Sequence, residues 1–169
     1  QRYLAHEGTV SLDFASRYGE DLLSALEELE ERQIVHRDIK PANLGVGATT
    51  KSANHLTLFD FSLAYAPRTE LQIGTSAYRD PWLRQRGAWD PAADRWGAAV
   101  TLHEMLTGAR PAIDPSAAPD APPPIAAERF DPSVRDRLAA FFERALQRDA
   151  ELRFPSAKAM RHAWIACFE

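Results

Sequence analysis

The first long pattern in the chain is a helical repeat of apolar residues that begins near Leu12. Apolar side chains recur there mostly every three or four positions, and the acidic run "EELEE" falls between them. This spacing places the apolar side chains on one face of an α-helix and the acidic residues on the other. It predicts a helix over about residues 13–32, with an apolar face made of Leu12, Phe14, Leu22, Leu23, Leu26 and Leu29.

Short apolar runs of β type follow the helix. They are "IVH" (34–36), "NLGV" (43–46) and "HLTLFD" (55–60), and the first two flank a polar bend with the sequence "HRDIKPAN" (36–43). "GATTKSAN" (47–54) is rich in small and polar residues and predicts a loop. The pattern therefore predicts a few short strands whose function is to hold polar loops.

A second long helix is predicted in "WDPAADRWGAAVTLHEMLTG" (89–108). Asp90 suits the N-cap, Pro91 suits the first helical position, and Gly108 suits the C-terminal stop. The helix is apolar on nearly all sides, which is typical of a buried core element.

The stretch 110–132 contains seven prolines and predicts an irregular surface connection. The stretch is not predicted to be a domain linker, because the helix after it has an apolar face that has to pack against other parts of the same domain. Asp131 is the predicted cap of that helix and Pro132 its first residue. A last helix is predicted over about Ser156–Phe168. The inward residues of the helix after the prolines are Val134, Leu138, Phe141, Phe142 and Leu146.

Composition narrows the class of protein. The chain has 169 residues, of which 45% are hydrophobic and 26% charged, and this predicts a globular protein with a real core. The net charge of −4 argues against a nucleic-acid surface, which usually needs a basic stripe. No apolar run approaches the ~20 residues of a membrane span, and no signal peptide is recognised.

The only cysteine, Cys167, cannot form an internal disulfide and is expected to be a small buried side chain. The chain begins with Gln1 rather than Met, which raises the expectation that it is a piece of a longer protein.

The polar bend carries the candidate chemistry. Asp38, Lys40 and Asn43 lie on it, and Asp60 ends the predicted strand "LTLFD". The oxygens of Asn43 and Asp60 suit a hard cation such as Mg²⁺, which would carry phosphate oxygens. Asp38 would orient and deprotonate a hydroxyl group, and Lys40 would neutralise charge on a moving phosphoryl group. Taken alone, Asp38 could equally be a turn carboxylate and Asn43 a loop amide.

The motifs "HRDIKPAN" and "DFS" resemble the catalytic loop and the metal motif of protein kinases, in the serine/threonine form. Further blocks follow in the family's order. "GTSAY" (74–78) resembles the substrate-facing end of the activation segment, and "YRDPW" (78–82) stands where the family has Ala-Pro-Glu. "DRWGAAVTLHEMLTGARP" resembles the central helix of the large lobe, and "RDAELRFPSA" (148–157) resembles the arginine loop before the last helix.

This resemblance implies a role for each matching residue of the catalytic centre. Asp38 resembles the catalytic base, and Lys40 and Thr75 resemble the pair that contacts Asp38 and the γ-phosphate of ATP. Asn43 and Asp60 resemble the Mg²⁺ ligands.

The resemblance also implies structural and regulatory residues. His36 and Phe61 resemble the large-lobe members of the regulatory hydrophobic stack, and Arg37 resembles the arginine that receives an activating phosphate. Asp94 resembles the helix acid that holds the catalytic-loop backbone. Thr69, in the activation segment, is the candidate phosphosite.

The chain departs from the family pattern in three ways. Ser62 stands where the family has Gly, which should restrict flipping of the segment. Trp82 stands where the family has the Glu that pairs with the arginine matched by Arg153, so Arg153 needs another acid or water. Nothing in the chain resembles the glycine-rich loop, the strand lysine or its partner glutamate.

The resemblance implies that residues 1–169 form the large C-terminal lobe of a protein kinase, mainly α within an α+β family. Its helical bundle would carry the catalytic and metal loops on short β-hairpins, and the small β-rich lobe would be absent. The expected activity is transfer of the γ-phosphate of ATP to protein hydroxyl groups when a small lobe is joined in cis, with Mg²⁺ as cofactor. By itself the chain is expected to be inactive.

The expected partners are a protein substrate and the small lobe, with no nucleic acid and no membrane. The sequence of several of these motifs resembles that of the serine/threonine kinases of bacterial phage-growth-limitation (BREX-type) defence systems. This resemblance implies a bacterial and cytoplasmic protein. A second hypothesis is a catalytically silent lobe that acts as a binding or scaffold module.

Overall fold

The computed structural model describes residues 2–3, 10–49 and 52–169. The α-helices are α1 (Leu12–Glu31), α2 (Leu83–Arg86), α3 (Pro91–Thr107), α4 (Arg135–Ala145) and α5 (Ala157–Ala166). The strands are β1 (Arg2–Tyr3), β2 (Leu44–Thr49) and β3 (Ser52–Leu58), and they pair antiparallel in the order β1-β2-β3. The predicted fold class, a mainly helical body with a small β-hairpin, is confirmed.

Helix α1 packs closely on α5 along its apolar face. Leu22, Leu23 and Leu26 are at most 1% exposed. Next to them the indole Nε1 of Trp164 donates a 3.0 Å hydrogen bond to the carbonyl of Ser16. The indole occupies the space over Gly19, where an added Cβ would lie 2.2 Å from the ring. A side chain of any size at position 19 would therefore separate the two helices.

Helix α3 is the central helix, as its apolar sequence predicts. The Asp90 carboxylate accepts a 2.9 Å hydrogen bond from the backbone N–H of Ala93, Pro91 is the first helical residue, and Gly108 ends the helix with a φ of 74°. Trp96 and Leu102 are each 1% exposed. Both predicted ends of this helix are correct.

The predicted strand at 34–36 is wrong. Ile34–His36 has no strand assignment and leads from α1 directly into the polar bend. Val35 is buried against Leu83, Trp89 and Ala93, so this apolar residue packs on helices instead of in a sheet.

The loop predicted over 47–54 is also wrong in extent. Strand β2 continues to Thr49, which pairs with Ser52 at the start of β3, and a register irregularity lies between Gly47 and Thr49. Only residues 50 and 51 fall outside the described part of this hairpin. Strand β3 is held to α1 by the Asp21 carboxylate, which accepts a 2.9 Å hydrogen bond from the N–H of Leu56.

The proline-rich stretch is irregular, as predicted, apart from a 3₁₀ turn at Ala127–Arg129. Helix α4 begins at Arg135, so the predicted cap at Asp131 is wrong. The Asp131 carboxylate instead accepts from the N–H (2.9 Å) and the hydroxyl (2.6 Å) of Ser133, which forms a turn ahead of the helix. The inward face of α4 is confirmed, because its five predicted residues are each at most 6% exposed.

Aromatic side chains fill the core between α4 and α5. The rings of Phe141, Phe142 and Trp164 lie 5.2–6.2 Å apart, and Phe130 stacks on Phe142 at 5.5 Å. Helix α5 is capped by the Ser156 hydroxyl, which accepts from the N–H of Ala159 at 3.1 Å. Among the described residues, no helix is both long enough and apolar enough to cross a membrane.

The close approach of Gly19 to Trp164 gives a stability prediction. Glycine inside a helix usually costs about 1 kcal/mol relative to alanine, so Gly→Ala commonly stabilises a helix. At position 19 the new methyl group would overlap the indole, and overpacking of this kind costs about 1–3 kcal/mol. We expect Gly19→Ala to lower the free energy of unfolding in urea, whereas Ser24→Ala at an exposed position of the same helix should leave it unchanged or raise it slightly. A stabilised Gly19→Ala variant would contradict this packing.

Candidate active site

The backbone of the polar bend is held by one buried carboxylate. Asp94, in the first turn of α3, accepts hydrogen bonds from the N–H of His36 (2.6 Å, Oδ2) and of Arg37 (2.8 Å, Oδ1). Burial raises the pKa of Asp94 to about 7, although the two N–H groups and the Arg37 charge oppose the shift. The carboxylate fixes Arg37 in a left-handed conformation with a φ of 74°, which non-glycine residues rarely adopt.

The Asp38 carboxylate is surrounded by donors. Its Oδ1 accepts from the N–H (2.9 Å) and the hydroxyl (2.7 Å) of Thr75. Its Oδ2 accepts from Lys40 Nζ (2.7 Å) and from the amide of Asn43 (3.1 Å). Lys40 Nζ also donates to the Thr75 hydroxyl at 2.6 Å. Asp38, Lys40 and Thr75 thus form one closed cluster of hydrogen bonds, although Thr75 lies 37 residues from Asp38 in sequence.

Asp38 is ionised at neutral pH. Burial raises its pKa, but the hydrogen bonds from Lys40 and Thr75 and the Lys40 charge outweigh this effect and bring the pKa below its ordinary value. An Asp with a lowered pKa is a weak base. What this cluster provides is a carboxylate in one fixed orientation.

Asn43 connects the polar bend to the end of the hairpin. Its side-chain amide nitrogen donates to the Asp38 carbonyl (2.8 Å) and to the Asp38 carboxylate, which directs the amide nitrogen toward Asp38. Its backbone carbonyl accepts from the N–H of Phe59 at 2.8 Å. This bond holds the residue before Asp60 beside the polar bend.

Asp60 is an exposed carboxylate in a left-handed backbone conformation, with a φ of 61°. The Ser62 hydroxyl donates to its Oδ1 at 2.6 Å, and the Ser62 N–H donates to the same oxygen at 3.3 Å. These hydrogen bonds lower the pKa of Asp60, so it is charged at neutral pH. Ser62, which the resemblance places at a Gly position of the family motif, therefore orients the carboxylate of Asp60.

The donors present fit a magnesium ion with bound phosphate. Among the residues that the structure describes, no three His, Cys, Asp or Glu side chains gather at one point. Mg²⁺ needs no such cage, because it is usually held by one or two protein oxygens together with phosphate and water. Asn43 can contribute its amide oxygen and Asp60 the carboxylate oxygen that Ser62 does not contact.

His36 and Phe61 form an edge-to-face ring pair with centroids 4.9 Å apart. The fully buried His36 ring contacts the Phe59 carbonyl through Nε2 (2.8 Å) and the N–H of Asp38 through Nδ1 (3.3 Å). These contacts suit a neutral ring that carries its proton on Nε2, and burial lowers the pKa of His36 accordingly. His36 thus packs and orients neighbouring groups.

The side chain of Arg37 is 4% exposed and is directed at the segment that follows Asp60. Its Nη1 donates to the carbonyls of Ala66 and Pro67, and its Nε is buried with no hydrogen-bond partner among the described residues. Thr69, two residues beyond Pro67, is exposed. The structure therefore brings Arg37 to the backbone of this segment, and it leaves the Thr69 side chain at the surface.

The partner of Arg153 is Asp80, which the sequence analysis did not identify. Arg153 Nη1 and the Asp80 Oδ2 are 2.6 Å apart, and both side chains are at most 2% exposed. The same Oδ2 lies 2.8 Å from Arg86 Nη2, while Oδ1 accepts from the N–H of Trp82 at 3.0 Å. The acid that pairs with Arg153 thus stands two positions before Trp82, inside the same "YRDPW" motif.

The two arginines that pair with Asp80, Arg153 and Arg86, also contact other parts of the structure. Arg153 donates to the carbonyls of Gln147 (2.7 Å) and Arg148 (3.1 Å), and its guanidinium lies 4.7 Å from the Trp96 ring centroid. Arg86 also pairs with Asp90, the cap of α3, at 2.6 Å. Segment 74–82 is thereby attached to the start and the middle of the central helix.

The other end of segment 74–82 requires glycine. Gly74 has a φ of 82°, and a Cβ at this position would lie 2.3 Å from the Arg37 carbonyl oxygen. Between the two ends the Tyr78 hydroxyl donates to Glu104 at 2.6 Å, and burial together with this contact raises the pKa of Tyr78. Thr75 therefore reaches Asp38 from a segment that is fixed at both ends and in the middle.

Comparisons with known proteins agree on a single family. The sequence matches the protein kinase domain family over residues 1–165. It is 43% identical to the probable kinase PglW of Streptomyces coelicolor over 99% of this chain and 11% of that protein. It is 36% identical to the serine/threonine-protein kinase AtPK1/AtPK6 of Arabidopsis thaliana over 64% of this chain and 23% of that protein.

Solved structures show the same fold. The kinase domain of Mycobacterium tuberculosis PknI superposes with a TM-score of 0.72 at 24% identity, over 97% of this chain and 59% of that one. The chain thus spans about a tenth of PglW and somewhat more than half of the PknI kinase domain.

The buried pair of Asp80 and Arg153 gives a second stability prediction. Asp80→Asn would leave Arg153 charged and buried without its anion, and breaking a buried pair in this way costs about 3–5 kcal/mol. We expect a large decrease in the urea midpoint of unfolding. Asp120→Asn makes the same chemical change at an exposed position of the proline-rich stretch and should change stability little. Equal midpoints for the two variants would mean that the ion pair between Asp80 and Arg153 does not stabilise the fold.

Proposed function

The chain belongs to the protein kinase domain family, and we propose that it is the catalytic large lobe of a serine/threonine protein kinase, which transfers the γ-phosphate of ATP to hydroxyl groups of proteins. The observation that carries this proposal is the closed cluster of Asp38, Lys40 and Thr75, with Asn43 donating to the same carboxylate. Serine/threonine kinase relatives support the choice of acceptor.

In the proposed reaction, Asp38 orients the hydroxyl of the substrate toward the γ-phosphorus and accepts its proton as the new O–P bond forms. The bond between the γ-phosphorus and the β–γ bridging oxygen breaks, and ADP is the leaving group. Lys40 places positive charge beside the transferring group, while Thr75 keeps both Lys40 and Asp38 in position. A hydroxyl that approaches Asp38 has to replace one of its present donors, and the Thr75 hydroxyl can rotate to allow this.

The proposed cofactors are ATP and Mg²⁺. Asn43 and Asp60 would hold the metal ion, which would offset the negative charge of the phosphates when bound. Ser62 keeps Asp60 oriented for this purpose. The support for this assignment is the donor chemistry of the two side chains and their matching positions in the family motifs.

We further propose that residues 1–169 are the large lobe and that the nucleotide lid and its lysine come from a small lobe in cis. Phe59 and Phe61 are 40% and 39% exposed beside the candidate metal site, which is the face that such a lobe would cover. Retention of Asp38, Asn43 and Asp60 together favours a catalytic role for the parent over a silent scaffold, since a scaffold has no need of all three.

The biological setting is also proposed. We propose a bacterial, cytoplasmic defence kinase. The support is the identity of 43% to PglW, together with the sequence motifs that resemble kinases of phage-growth-limitation (BREX-type) systems. Its substrates would be proteins, with no role for nucleic acid or membrane.

The catalytic assignment is tested by Asp38→Asn in the native gene product. The variant keeps the size of the side chain but removes the carboxylate that orients the hydroxyl and accepts its proton. We therefore expect phosphotransfer from γ-labelled ATP to fall by about 10²–10⁴-fold, the range usual for loss of a positioned proton acceptor. Circular dichroism should show an intact fold, and Asp120→Asn is the matched control. Activity within twofold of the unmodified protein would contradict the role given to Asp38.

The regulatory proposal concerns Thr69, whose phosphorylation would add an anion to the segment that contacts Arg37. We expect peptide mass mapping of active protein to find phosphate on Thr69, and we expect Thr69→Ala to lower activity. Ser133→Ala, at an exposed turn before α4, serves as the control. If active protein carries only unmodified Thr69, this regulation does not operate.

A further inference from the structure

A cavity of about 450 Å³ is lined in part by Arg79, which also lines a small pocket together with Asp38 and Thr75 of the catalytic cluster. Its near wall is formed by Ser76, Ala77 and Arg79, which follow Thr75 in the chain. Its floor is the buried side of α3, at Trp96 and Val100. The far wall is the first part of the proline-rich stretch, between residues 110 and 115.

The cavity has a positive lining in an acidic protein. Arg79 and Arg110 are its two charged lining residues, and none of the described residues that line it is acidic. Arg110 is exposed, and its guanidinium lies 5.4 Å from the centroid of the Tyr78 ring. Arg79 Nη1 donates to the carbonyls of Gln72 (2.7 Å) and Ile73 (3.2 Å), which fixes where its guanidinium lies.

The acids beside the cavity do not neutralise this charge. Asp80 pairs with Arg153 and Arg86, and the Asp114 carboxylate accepts hydrogen bonds from Ser116. Glu104 lies on α3 and accepts from the Tyr78 hydroxyl at 2.6 Å, and it forms no ion pair with Arg110 within 4.0 Å in the described part of the chain. Both guanidinium groups therefore have donors available for an incoming anion. A carboxylate suits them well, since arginine binds carboxylates through charge-assisted and often paired hydrogen bonds.

The position of the cavity relates it to the substrate. Thr75 donates to Asp38, and Ser76 and Ala77 continue from Thr75 into the cavity wall. An extended peptide advances about 3.3 Å per residue. A peptide with its hydroxyl group at Asp38 would therefore bring a side chain only a few residues away over the two arginines.

We propose that this cavity selects protein substrates that carry an acidic side chain within a few residues of the phosphorylated hydroxyl, and that Arg110 is a specificity-determining residue. The inference rests on the proposed kinase function and deepens it by naming the class of substrate. Arg79 contributes charge as well, but it also holds its own segment in place. Arg110 is therefore the residue to vary.

The test uses the native gene product and a positional peptide library with a fixed serine or threonine acceptor. At each of the three positions on either side, peptides with Glu, Gln or Lys are compared. We expect Glu to exceed Gln in kcat/KM by about fivefold at one position or more, the upper end for one exposed ion pair, with Lys below Gln. The preference should lie mainly in KM, because the arginines contact the peptide and not the transferring phosphoryl group.

Two variants of Arg110 and one control sharpen the test. Arg110→Gln should clearly reduce the preference for Glu, since only Arg79 then remains, and Arg110→Glu should turn it into a preference for Lys. Arg137→Glu makes the same change of charge on the exposed side of α4, away from the cavity, and should leave the preference intact. Phosphotransfer without a preference for Glu, or with a preference that is undiminished in Arg110→Gln, would overturn the inference.

A binding measurement separates this inference from the proposed function. Fluorescein-labelled Glu and Gln peptides are titrated with the native gene product, and anisotropy reports binding without any phosphotransfer. If no peptide is phosphorylated but the Glu peptide still binds more tightly in an Arg110-dependent way, the kinase proposal fails and the acidic-peptide site stands. Equal binding of the two peptides overturns the site whatever the phosphotransfer result is.

Discussion

The whole site depends on the two hydrogen bonds that the Asp94 carboxylate accepts from the backbone of His36 and Arg37. These bonds satisfy two buried N–H groups that have no strand partner, and each such group would otherwise cost about 1–3 kcal/mol. They also hold Arg37 in a left-handed conformation that its side chain disfavours. The Arg37 carbonyl then lies against Gly74, where only glycine fits, and this contact positions Thr75 next to Asp38. A helix acid thus determines the position of a hydroxyl group in a separate segment.

At the other end of segment 74–82, the acid that pairs with Arg153 is Asp80, and position 82 is occupied by Trp82. Asp80 faces two guanidinium groups, and Arg153 also donates to two carbonyls and lies over Trp96. Burying a charge costs several kcal/mol unless its other hydrogen-bonding groups are satisfied, and here most of them are. Trp82 can then serve as an apolar residue, packed edge-on against Trp96 at 5.3 Å.

The sequence predicted those features that depend on neighbouring residues. Both ends of α3 could be predicted because Asp90, Pro91 and Gly108 act within one turn of the helix. The same reasoning failed at Asp131, because its carboxylate closes a turn with Ser133 and the helix starts four residues later. Asp38, Asn43 and Asp60 could be identified from motifs with a fixed order, and the structure brings them to one end of the hairpin. Asp80 was missed, because its partner Arg153 lies 73 residues away and no local pattern marks the pair.

The donors around Asp38 determine what this carboxylate can contribute to the proposed reaction. Burial raises its pKa, but Lys40 and Thr75 outweigh this effect and lower the pKa below its ordinary value, so its strength as a base is small. A phosphoryl transfer with a loose transition state needs little proton removal before the O–P bond is largely formed, so a strong base would add little. Orientation matters more, because a hydroxyl held in line with the phosphorus reacts as if the step were unimolecular, without a further entropic cost. The cluster is built for that role, since each of its members is held by a backbone that Asp94, Gly74 and Asp80 fix at separate points.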